Sequence, residues 1–287
     1  MTPHEYCQDK TAKSGSSFYY SFLFLPEAQR KAITAVYAFC REVDDVVDEC
    51  QDTDIARTKL SWWRTEIAST FEGKPSHPVC QALATITKDF NLPKEHFLEM
   101  IDGMEMDLEK NRYANFAELN LYCYRVASVV GLMAAEIFGF KDRNTLEYAH
   151  NLGLAFQLTN ILRDVKEDAE LGRLYLPQDE LVKFNLSEQD IFESRCSDNM
   201  KQLLDFQAKR ANDYYNKAFS LLPESDRYAQ RTGIIMANIY RTVLHTIEKD
   251  SCQVLKQRTS LSPLRKLWIA WRTARNEKQR YNKISRT

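Results

Sequence analysis

The feature that most constrains the fold is helical periodicity in long segments, separated by scarce glycine and proline. Across residues 27–49, Ala32, Ala35, Val36, Phe39 and Val43 recur at steps of three and four, which is the period of one helix face. Pro26 stands just before the first turn of this run, where proline is well tolerated. No segment alternates apolar and polar residues between turn signals, as a strand would. The chain is therefore predicted to be all-α.

The same periodicity predicts the remaining helices. One is capped by Asp52 or Asp54 and ends at Gly73, and the others cover 79–90, 94–110, 116–138, 144–170, 198–222 and 226–249. Non-helical stretches are expected around 172–177 and 185–190. Several helices are apolar on more than one face, which suits the centre of a large bundle. We expect one helical domain over residues 1–272, followed by a basic, flexible tail over 273–287.

Bulk composition narrows the class of protein. The net charge of −1 gives no bias toward polyanions, so no nucleic-acid partner is predicted. The seven cysteines are scattered without metal spacing, which predicts free thiols in a reducing cytosol. The polar first residues predict no secretory signal. The apolar stretch 126–140 is interrupted by Glu136 and is shorter than the roughly 20 residues of a membrane span. A cytoplasmic protein, with possible contact at a membrane surface, is expected.

A first pair of carboxylates lies at the end of the 27–49 helix. Asp44 and Asp48 are four residues apart and therefore share a helix face. Their mutual repulsion, and negative charge near a helix C-terminus, both destabilise the helix. One interpretation is a solvated acidic helix end. The other is a bound cation, which would remove both penalties.

A second cluster favours the interpretation that a cation is bound. Asn160, Asp164 and Asp168 follow at four-residue steps, with Gln157 one turn earlier. Oxygen donors without sulfur or histidine suit a hard cation such as Mg²⁺. Carboxylates beside an apolar run need a partner or a metal, and Arg163 could be that partner instead.

Together the two clusters predict a magnesium-dependent diphosphate site, because metal ions bridge diphosphate oxygens and withdraw charge from them. Further direct contacts could come from four cations close in sequence, Arg41, Arg163, Lys166 and Arg173. An apolar bundle interior next to such a site suits a hydrocarbon chain. Diphosphate and hydrocarbon together describe a prenyl diphosphate.

At these residues the chain resembles the squalene/phytoene synthase family. The likeness runs from about residue 5 to 272 and rests on stretches that are specific as a set: SGSSFYY from Ser14, AVYAFCR from Ala35 with the acidic motif that follows, YCYRVASVVG from Tyr122, QLTNILRDVKED from Gln157 and GRLYLP from Gly172. The resemblance implies a single helical bundle of the class I isoprenoid synthase type with a central apolar cavity. It also implies roles for individual residues.

By this resemblance, the Mg²⁺ ligands would be Asp44, Asp48, Asn160, Asp164 and Asp168. Catalysis would involve Asp44, Asp48, Tyr37, Arg41 and Arg163. Substrate binding would fall to Ser17, Tyr122, Val126, Ala127, Val130, Gly131, Gln157, Arg173 and Tyr240. From the residues alone, the tyrosines could equally be core aromatics with buried hydroxyls, and Val126, Val130 and Gly131 could serve tight helix packing.

The family's chemistry implies head-to-head condensation of two farnesyl diphosphates with release of diphosphate. The strings SGSSFYYSFLFLP, AFCREVDDVVDE and IDGMEMDLEKNRY are most similar to the bacterial hopanoid-pathway branch that stops at presqualene diphosphate. No NADPH is expected. The alternatives are a phytoene or dehydrosqualene synthase and, from a different class, a non-catalytic assembly factor of the same fold. The intact carboxylate clusters argue against a non-catalytic assembly factor.

The C-terminal segment carries its own pattern. From Lys256 onward there are ten basic residues against one acidic residue, a net charge of +9. Leu264, Leu267, Trp268 and Trp271 lie at three- and four-residue steps. This pattern is typical of a helix lying on an anionic membrane surface. The alternative is that Trp268 and Trp271 pack on the bundle and the remaining tail is solvated.

Overall fold

The computed structural model describes residues 1–14, 18–50 and 52–284, and their regular structure is helical. The helices are α1 (Pro3–Lys13), α2 (Phe18–Phe22), α3 (Glu27–Glu49), α4 (Thr53–Phe71), α5 (Pro78–Ile86), α6 (Lys94–Glu109), α7 (Phe116–Cys123), α8 (Val129–Phe138), α9 (Asn144–Arg163), α10 (Val165–Glu170), α11 (Gln178–Lys183), α12 (Glu188–Phe192), α13 (Asp198–Leu221), α14 (Arg231–Lys249) and α15 (Pro263–Ile284). A π-helical segment, Tyr124–Ser128, joins α7 to α8, and a 3₁₀ segment, Ser251–Leu255, follows α14. No β-strand occurs in the described ranges, so the all-α prediction is confirmed.

Helix α3 has the bounds that its periodicity predicts. Its apolar stripe, including Val36, Phe39 and Val43, is fully buried. The helix stops at Glu49, and Asp52 caps α4 by accepting hydrogen bonds from the backbone N–H groups of Asp54 and Ile55. The two carboxylates of the first cluster therefore sit on the last two turns of a rigid, well-packed helix.

The helix predicted over 79–90 ends early, at Ile86, and a short helix, Glu188–Phe192, occupies part of the stretch 185–190 that was expected to be non-helical. Two further predicted helices differ more. The helix predicted over 144–170 is broken at Asp164, where φ is −103° and ψ is 13°, so α9 ends and α10 begins there. The helix predicted over 226–249 begins only at Arg231. Its expected first residue, Asp226, is buried and accepts hydrogen bonds from the N–H groups of Lys141 and Asp142 instead. A tertiary contact holds Asp226 outside the helix, and the local sequence predicts neither boundary.

The hydrophobic core consists of two clusters on either side of a central cavity. One is built from the N-terminal helices with α8, and the other from α7, α9, α13 and α14. Phe18 and Val126 pack against both clusters. Helix α9 runs through the middle, against α8, α13 and α14.

The continuous run Phe116–Phe138 is, in the described part of the chain, long and apolar enough to cross a membrane by length and composition. It begins ten residues before the apolar stretch considered above. Arg125 within it pairs with Glu99 on α6, with 3.0 Å between Nε and Oε2. Because the run packs against α6 and α9, we interpret it as a core helix of the bundle.

The C-terminal boundary predicted at residue 272 is wrong, because it falls inside α15. Thr273 and Glu277 are buried, and the Glu277 carboxylate accepts a hydrogen bond from Arg227 at 2.7 Å. Residues 273–284 therefore continue an anchored helix where a flexible tail was expected. Residues 285–287 lie outside the described residues.

The prediction that all cysteines are free is also wrong for one pair. Cys196 and Cys252 form a disulfide that ties the start of α13 to the 3₁₀ segment after α14. The two positions are 56 residues apart, so no local spacing signals the pairing. The remaining cysteines are free, and Cys7, Cys40, Cys80 and Cys123 are buried as small apolar side chains.

Candidate active site

A cavity of about 840 Å³ opens between the two core clusters. Its polar end is formed by the ends of α3 and α9, and its apolar end reaches between α8, α9 and α14. This volume is near the upper limit for small-molecule pockets, about 1,000 Å³. The cavity therefore suits a large, elongated ligand with one charged end.

The first acidic helix brings its charged side chains to the polar end. Arg41 donates to Asp44 at 2.5 Å and to Asp45 at 2.6 Å. One turn earlier, the Tyr37 hydroxyl donates to Ser14 at 3.2 Å. Tyr37, Arg41, Asp44 and Asp48 all line the cavity.

The second acidic cluster faces the same space from the end of α9. Arg163 binds the Asp164 carboxylate with two hydrogen bonds, 2.6 Å from Nε and 2.5 Å from Nη2. The amide nitrogen of Asn160 donates to Gln157 at 3.2 Å, whereas its carbonyl oxygen is buried without a hydrogen-bond partner in the described structure. Asp168, beyond the break at Asp164, also lines the cavity.

A turn at a glycine positions Arg173 at this site. Gly172 has φ +73°, a left-handed conformation that favours glycine, and it ends α10. The Arg173 N–H then donates back to the Asp168 carbonyl at 2.8 Å, closing the helix end. The Leu174 N–H donates to the Asn111 carbonyl at 3.0 Å, which fixes the segment beside α6. As a result, the Arg173 side chain reaches Asp48 on α3 at 2.8 Å.

The electrostatics of the site are dominated by crowded carboxylates. Burial, reinforced by Asp48, raises the pKa of Asp44 to about 7 despite the opposing effect of Arg41. Burial, reinforced by Asp164, raises the pKa of Asp168 to about 8. Both shifts mean that negative charge at these positions is insufficiently compensated by the protein's own cations. A further positive charge would be stabilised there.

The donor set fits Mg²⁺ on two observations. The orphaned Asn160 oxygen and the raised carboxylate pKa values both indicate hard oxygen donors without enough positive charge. Within the described residues, no three His, Cys, Asp or Glu side chains are grouped closely enough to hold a metal by themselves. Magnesium sites are commonly completed by one or two carboxylates, water and substrate phosphate oxygens. Asp44 and Asp48 on one side, and Asn160, Asp164 and Asp168 on the other, would therefore hold the ion together with a diphosphate.

The predicted chain pocket lies deeper, along the junction of α7 and α8. Tyr122, Val126, Ala127, Val130 and Gly131 all line the cavity. Val126 and Ala127 belong to the π-helical segment, and such segments are frequently found at functional sites. Gly131 also serves packing, since a Cβ there would lie 2.6 Å from the Ala149 carbonyl oxygen. The same residues thus form both the cavity wall and a close helix crossing.

Sequence reasoning missed an acidic residue with two tyrosine partners. The hydroxyls of Tyr122 and Tyr175 each donate to Asp107 at 2.8 Å, and all three residues line the cavity. Burial raises the pKa of Asp107 to about 6, although both hydrogen bonds lower it. Asp107 lies inside the string IDGMEMDLEKNRY, which carried the branch resemblance but gave no role to any one residue.

Two cations from the C-terminal segment were also missed. Arg258 reaches Asp164 with 2.8 Å between Nε and Oδ1, and Lys266 lines the cavity nearby. Burial and the charges of Arg163 and Arg258 lower the pKa of Lys266. The sequence interpretation counted both only toward the charge of the basic C-terminal segment from Lys256 onward. Their sequence distance from Asp164, 94 residues for Arg258, hides the contact.

Every other predicted site residue in the described ranges reaches the same cavity, Gln157, Arg163, Arg173 and Tyr240 included. Ser17 lies outside the described residues. Lys166, considered as a diphosphate contact, does not line the cavity and pairs with Glu170 at 3.5 Å. The structure thus assembles the set, while the role of each residue remains a prediction.

Comparisons with known proteins identify the family of the chain. Residues 11–265 match the family model for squalene/phytoene synthase. The chain belongs to the squalene/phytoene synthase family. It is 37% identical over 276 residues to a 15-cis-phytoene synthase of Synechococcus elongatus, covering 92% of this chain and 90% of the relative. It is 36% identical over 270 residues to the chloroplastic phytoene synthase 2 of Solanum lycopersicum, covering 92% and 87%.

Two solved structures resemble this member of the family closely in fold. A dehydrosqualene synthase in complex with a ligand superposes with a TM-score of 0.84 at 30% identity, covering 96% of this chain and 97% of that chain. The squalene synthase HpnC from Alicyclobacillus acidocaldarius superposes with a TM-score of 0.79 at 28% identity, covering 89% and 95%. The expected isoprenoid synthase fold is confirmed. Members of the family are prenyltransferases of isoprenoid biosynthesis.

Proposed function

We propose that this enzyme condenses two farnesyl diphosphates head to head to presqualene diphosphate, releasing one diphosphate, in squalene or hopanoid biosynthesis. The observation that carries the proposal is a single cavity with two facing acidic clusters at one end and an apolar interior at the other. Two diphosphates need the charged end, and two hydrocarbon chains need the apolar end.

The reaction begins with cleavage of the allylic C–O bond, whose electron pair leaves with the diphosphate. Mg²⁺ bound between the clusters would supply charge neutralisation for that leaving group. Arg41, Arg163 and Arg173 each hold a carboxylate at this end of the cavity, so they are positioned to exchange it for diphosphate oxygens. They thereby orient the leaving group.

The allylic cation then alkylates the double bond of the second substrate, and loss of a proton closes the cyclopropane ring. Phe18, Phe156 and Tyr240 form one aromatic group beside the cavity, with ring centroids 4.9 to 6.3 Å apart. Aromatic faces stabilise a nearby cation and do not react as water would. None of the five histidines lines the cavity. The departing diphosphate is our candidate for the proton acceptor, and a tyrosine hydroxyl is the alternative.

A second candidate is phytoene synthesis from geranylgeranyl diphosphate. It is favoured by one specific observation: the curated relatives named above are phytoene synthases. That candidate uses the same charged end and differs in the length of chain that the apolar end must hold.

The deciding experiment supplies farnesyl or geranylgeranyl diphosphate separately with Mg²⁺, first without and then with NADPH. We expect presqualene diphosphate to accumulate from farnesyl diphosphate and NADPH not to convert it to squalene. Squalene formed on adding NADPH, or a preference for geranylgeranyl diphosphate, would contradict the proposal. Absence of any diphosphate release, in protein shown to be folded, would instead favour a non-catalytic assembly factor of the same fold.

A further inference from the structure

Helix α15 is fixed to the bundle by one of its sides. Ile269, Ala270, Thr273 and Glu277 are buried where the helix packs against α14. The carboxylate of Glu277 is held by Arg227 through two hydrogen bonds, 2.7 and 3.1 Å. The orientation of the helix is therefore set, and its opposite side must face away from the bundle.

That opposite side carries three large apolar residues. Leu264, Trp268 and Trp271 follow at steps of four and three, so they form one stripe. Their exposed fractions are 79%, 54% and 52%. The alternative that both tryptophans pack on the bundle is therefore wrong. Single exposed apolar residues are common, but a contiguous stripe that includes two tryptophans marks an interaction surface.

Cations surround this stripe. Arg272 lies over the ring of Trp268 and Arg275 over the ring of Trp271, at 5.1 and 5.5 Å from the ring centroids. In the described part of the chain, no carboxylate lies within ion-pair distance of Arg272, Arg275, Arg265 or Lys278. By contrast, Arg258, Lys266 and Arg280 of the same segment face the cavity or pair with Glu224. The excess positive charge is thus concentrated on the outer side.

We propose that this outer face of α15, formed by Leu264, Arg265, Trp268, Trp271, Arg272, Arg275 and Lys278, docks on an anionic lipid bilayer. Tryptophan at the level of the lipid headgroups, with arginine and lysine around it, is the composition of an interfacial helix. A second copy of this chain is a poorer occupant, because a two-fold contact would bring together two copies of the same positively charged face. An anionic bilayer would bury the apolar stripe and neutralise the positive charge.

The test is cosedimentation of the full chain with sucrose-loaded vesicles, either pure phosphatidylcholine or phosphatidylcholine with about one-third phosphatidylglycerol. Wild-type protein should bind the anionic vesicles, and added salt should weaken binding. Each basic residue near such a surface contributes about fivefold in partitioning. Arg272→Glu with Arg275→Glu should therefore weaken binding by more than about 25-fold, and Trp268→Ser with Trp271→Ser should abolish sedimentation.

Matched controls are exposed residues that do not belong to this outer face. Trp62 is 44% exposed on α4, so Trp62→Ser removes a comparable exposed indole. Lys59→Glu with Lys88→Glu makes the same charge change at two exposed lysines. Both controls should bind vesicles as wild type does. With substrate supplied in detergent micelles, all variants should keep wild-type turnover, because none of the changed residues lines the cavity.

Three outcomes would overturn the proposal. The first is no sedimentation of wild-type protein with anionic vesicles. The second is equal loss in the α15 variants and the controls, which would indicate a general charge effect. The third is a concentration-dependent dimer in solution that the tryptophan variants dissociate without any change in vesicle binding, which would make a second copy the occupant.

Discussion

Arg173 donates a hydrogen bond to Asp48 across the mouth of the cavity, with 2.8 Å between Nη1 and Oδ1. The two residues are 125 positions apart, and the contact joins the first acidic helix to the turn that follows the second. A guanidinium can exchange a carboxylate for a diphosphate, which offers the same paired oxygens with more charge. Arg173 is therefore placed to release Asp48 and bind a diphosphate when substrate enters.

We expect Arg173→Met to lower kcat/KM about 10- to 100-fold, the range for a lost hydrogen bond to a charged group. Arg173→Lys should recover only part of this, because an ammonium cannot donate two parallel hydrogen bonds. Steady-state kinetics with saturating Mg²⁺ measures both. If Arg173→Met has wild-type kinetics and only the thermal midpoint changes, Arg173 is a structural link alone.

Replacing one carboxylate of the acidic clusters should lower activity and raise the stability of the metal-free protein. We expect Asp168→Asn, like Asp44→Asn, to lower turnover by more than about 100-fold, since loss of even a supporting residue of a metal site costs 10- to 100-fold. Metal-free Asp168→Asn should nevertheless be more stable than wild type above about pH 8. Its side chain stays neutral, whereas the wild-type carboxylate must then be charged in a desolvated position. Thermal unfolding in EDTA measures the difference.

The pH dependence of metal-free wild-type protein follows from the same groups. The pKa of Asp168 is raised to about 8 and that of Asp44 to about 7, from an ordinary value of 3.8. Between 3.8 and these values the folded state binds more protons than the unfolded state, so these groups add stability as the pH falls through 8 and 7. We expect the thermal midpoint of wild type to rise over that window and the rise to shrink in Asp168→Asn. Parallel curves for the two proteins would mean that Asp168 is already paired.

Two adjacent tyrosines provide an internal control for the Asp107 network. Tyr175 donates to Asp107, whereas the hydroxyl of Tyr113, whose ring stacks on that of Tyr175 at 5.7 Å, is buried without a partner in the described structure. Tyr175→Phe should cost about 1–3 kcal/mol, because a buried acceptor loses a donor. Tyr113→Phe should be neutral or stabilising, because it removes an unsatisfied polar group. Urea unfolding of both variants measures the change in the free energy of unfolding. Equal changes would show that packing of the rings, and not the hydrogen bond to Asp107, determines the stability.

How much of this could be predicted from sequence depends on how local each signal is. The carboxylates of α3 and α9 were predictable, because a four-residue step fixes which side chains share a helix face. The break at Asp164 was not, because the four-residue spacing of the oxygen donors continues across it and no glycine or proline there marks a helix end. Arg258 and Asp107 were missed for a related reason, since their partners are distant in sequence and no spacing rule connects them.

For the outer face of α15, by contrast, the signal was present in the sequence. Its apolar step and positive charge were visible in the sequence, but the sequence could not tell a core stripe from an exposed one. The buried side had to be identified first, and Glu277 identifies it by pairing with Arg227. The same pairing contradicts the predicted flexible tail, which rested on charge density alone.

Two glycines should respond differently to the same substitution. A Cβ at Gly153 would lie 2.6 Å from the carbonyl oxygen of Ala127, which is backbone and cannot move aside. A Cβ at Gly103 would meet side-chain atoms instead, a methyl group of Val126 at 2.6 Å and the Cβ of Arg125 at 3.1 Å. We expect Gly153→Ala to destabilise by about 1–3 kcal/mol, the usual cost of overpacking. Gly103→Ala should cost less, because the side chain of Val126 can shift further than the backbone at Ala127; the gain of about 1 kcal/mol in helix propensity is common to both variants. Denaturant unfolding compares the two, and an equal loss would show that Val126 is held as firmly as backbone.

Substrate length should be set by the wall formed by α8. Val130 lines the cavity, whereas its neighbour Val129 is fully buried in the core and does not. Val130→Phe places a ring where the far end of a prenyl chain would lie, so activity with geranylgeranyl diphosphate should fall before activity with farnesyl diphosphate. Val129→Phe should instead lower the free energy of unfolding by about 1–3 kcal/mol through overpacking, with no preference between substrates. Kinetics with both substrates, together with unfolding curves, separate the two effects. Equal loss with both substrates in Val130→Phe would show that this part of α8 serves packing and does not measure chain length.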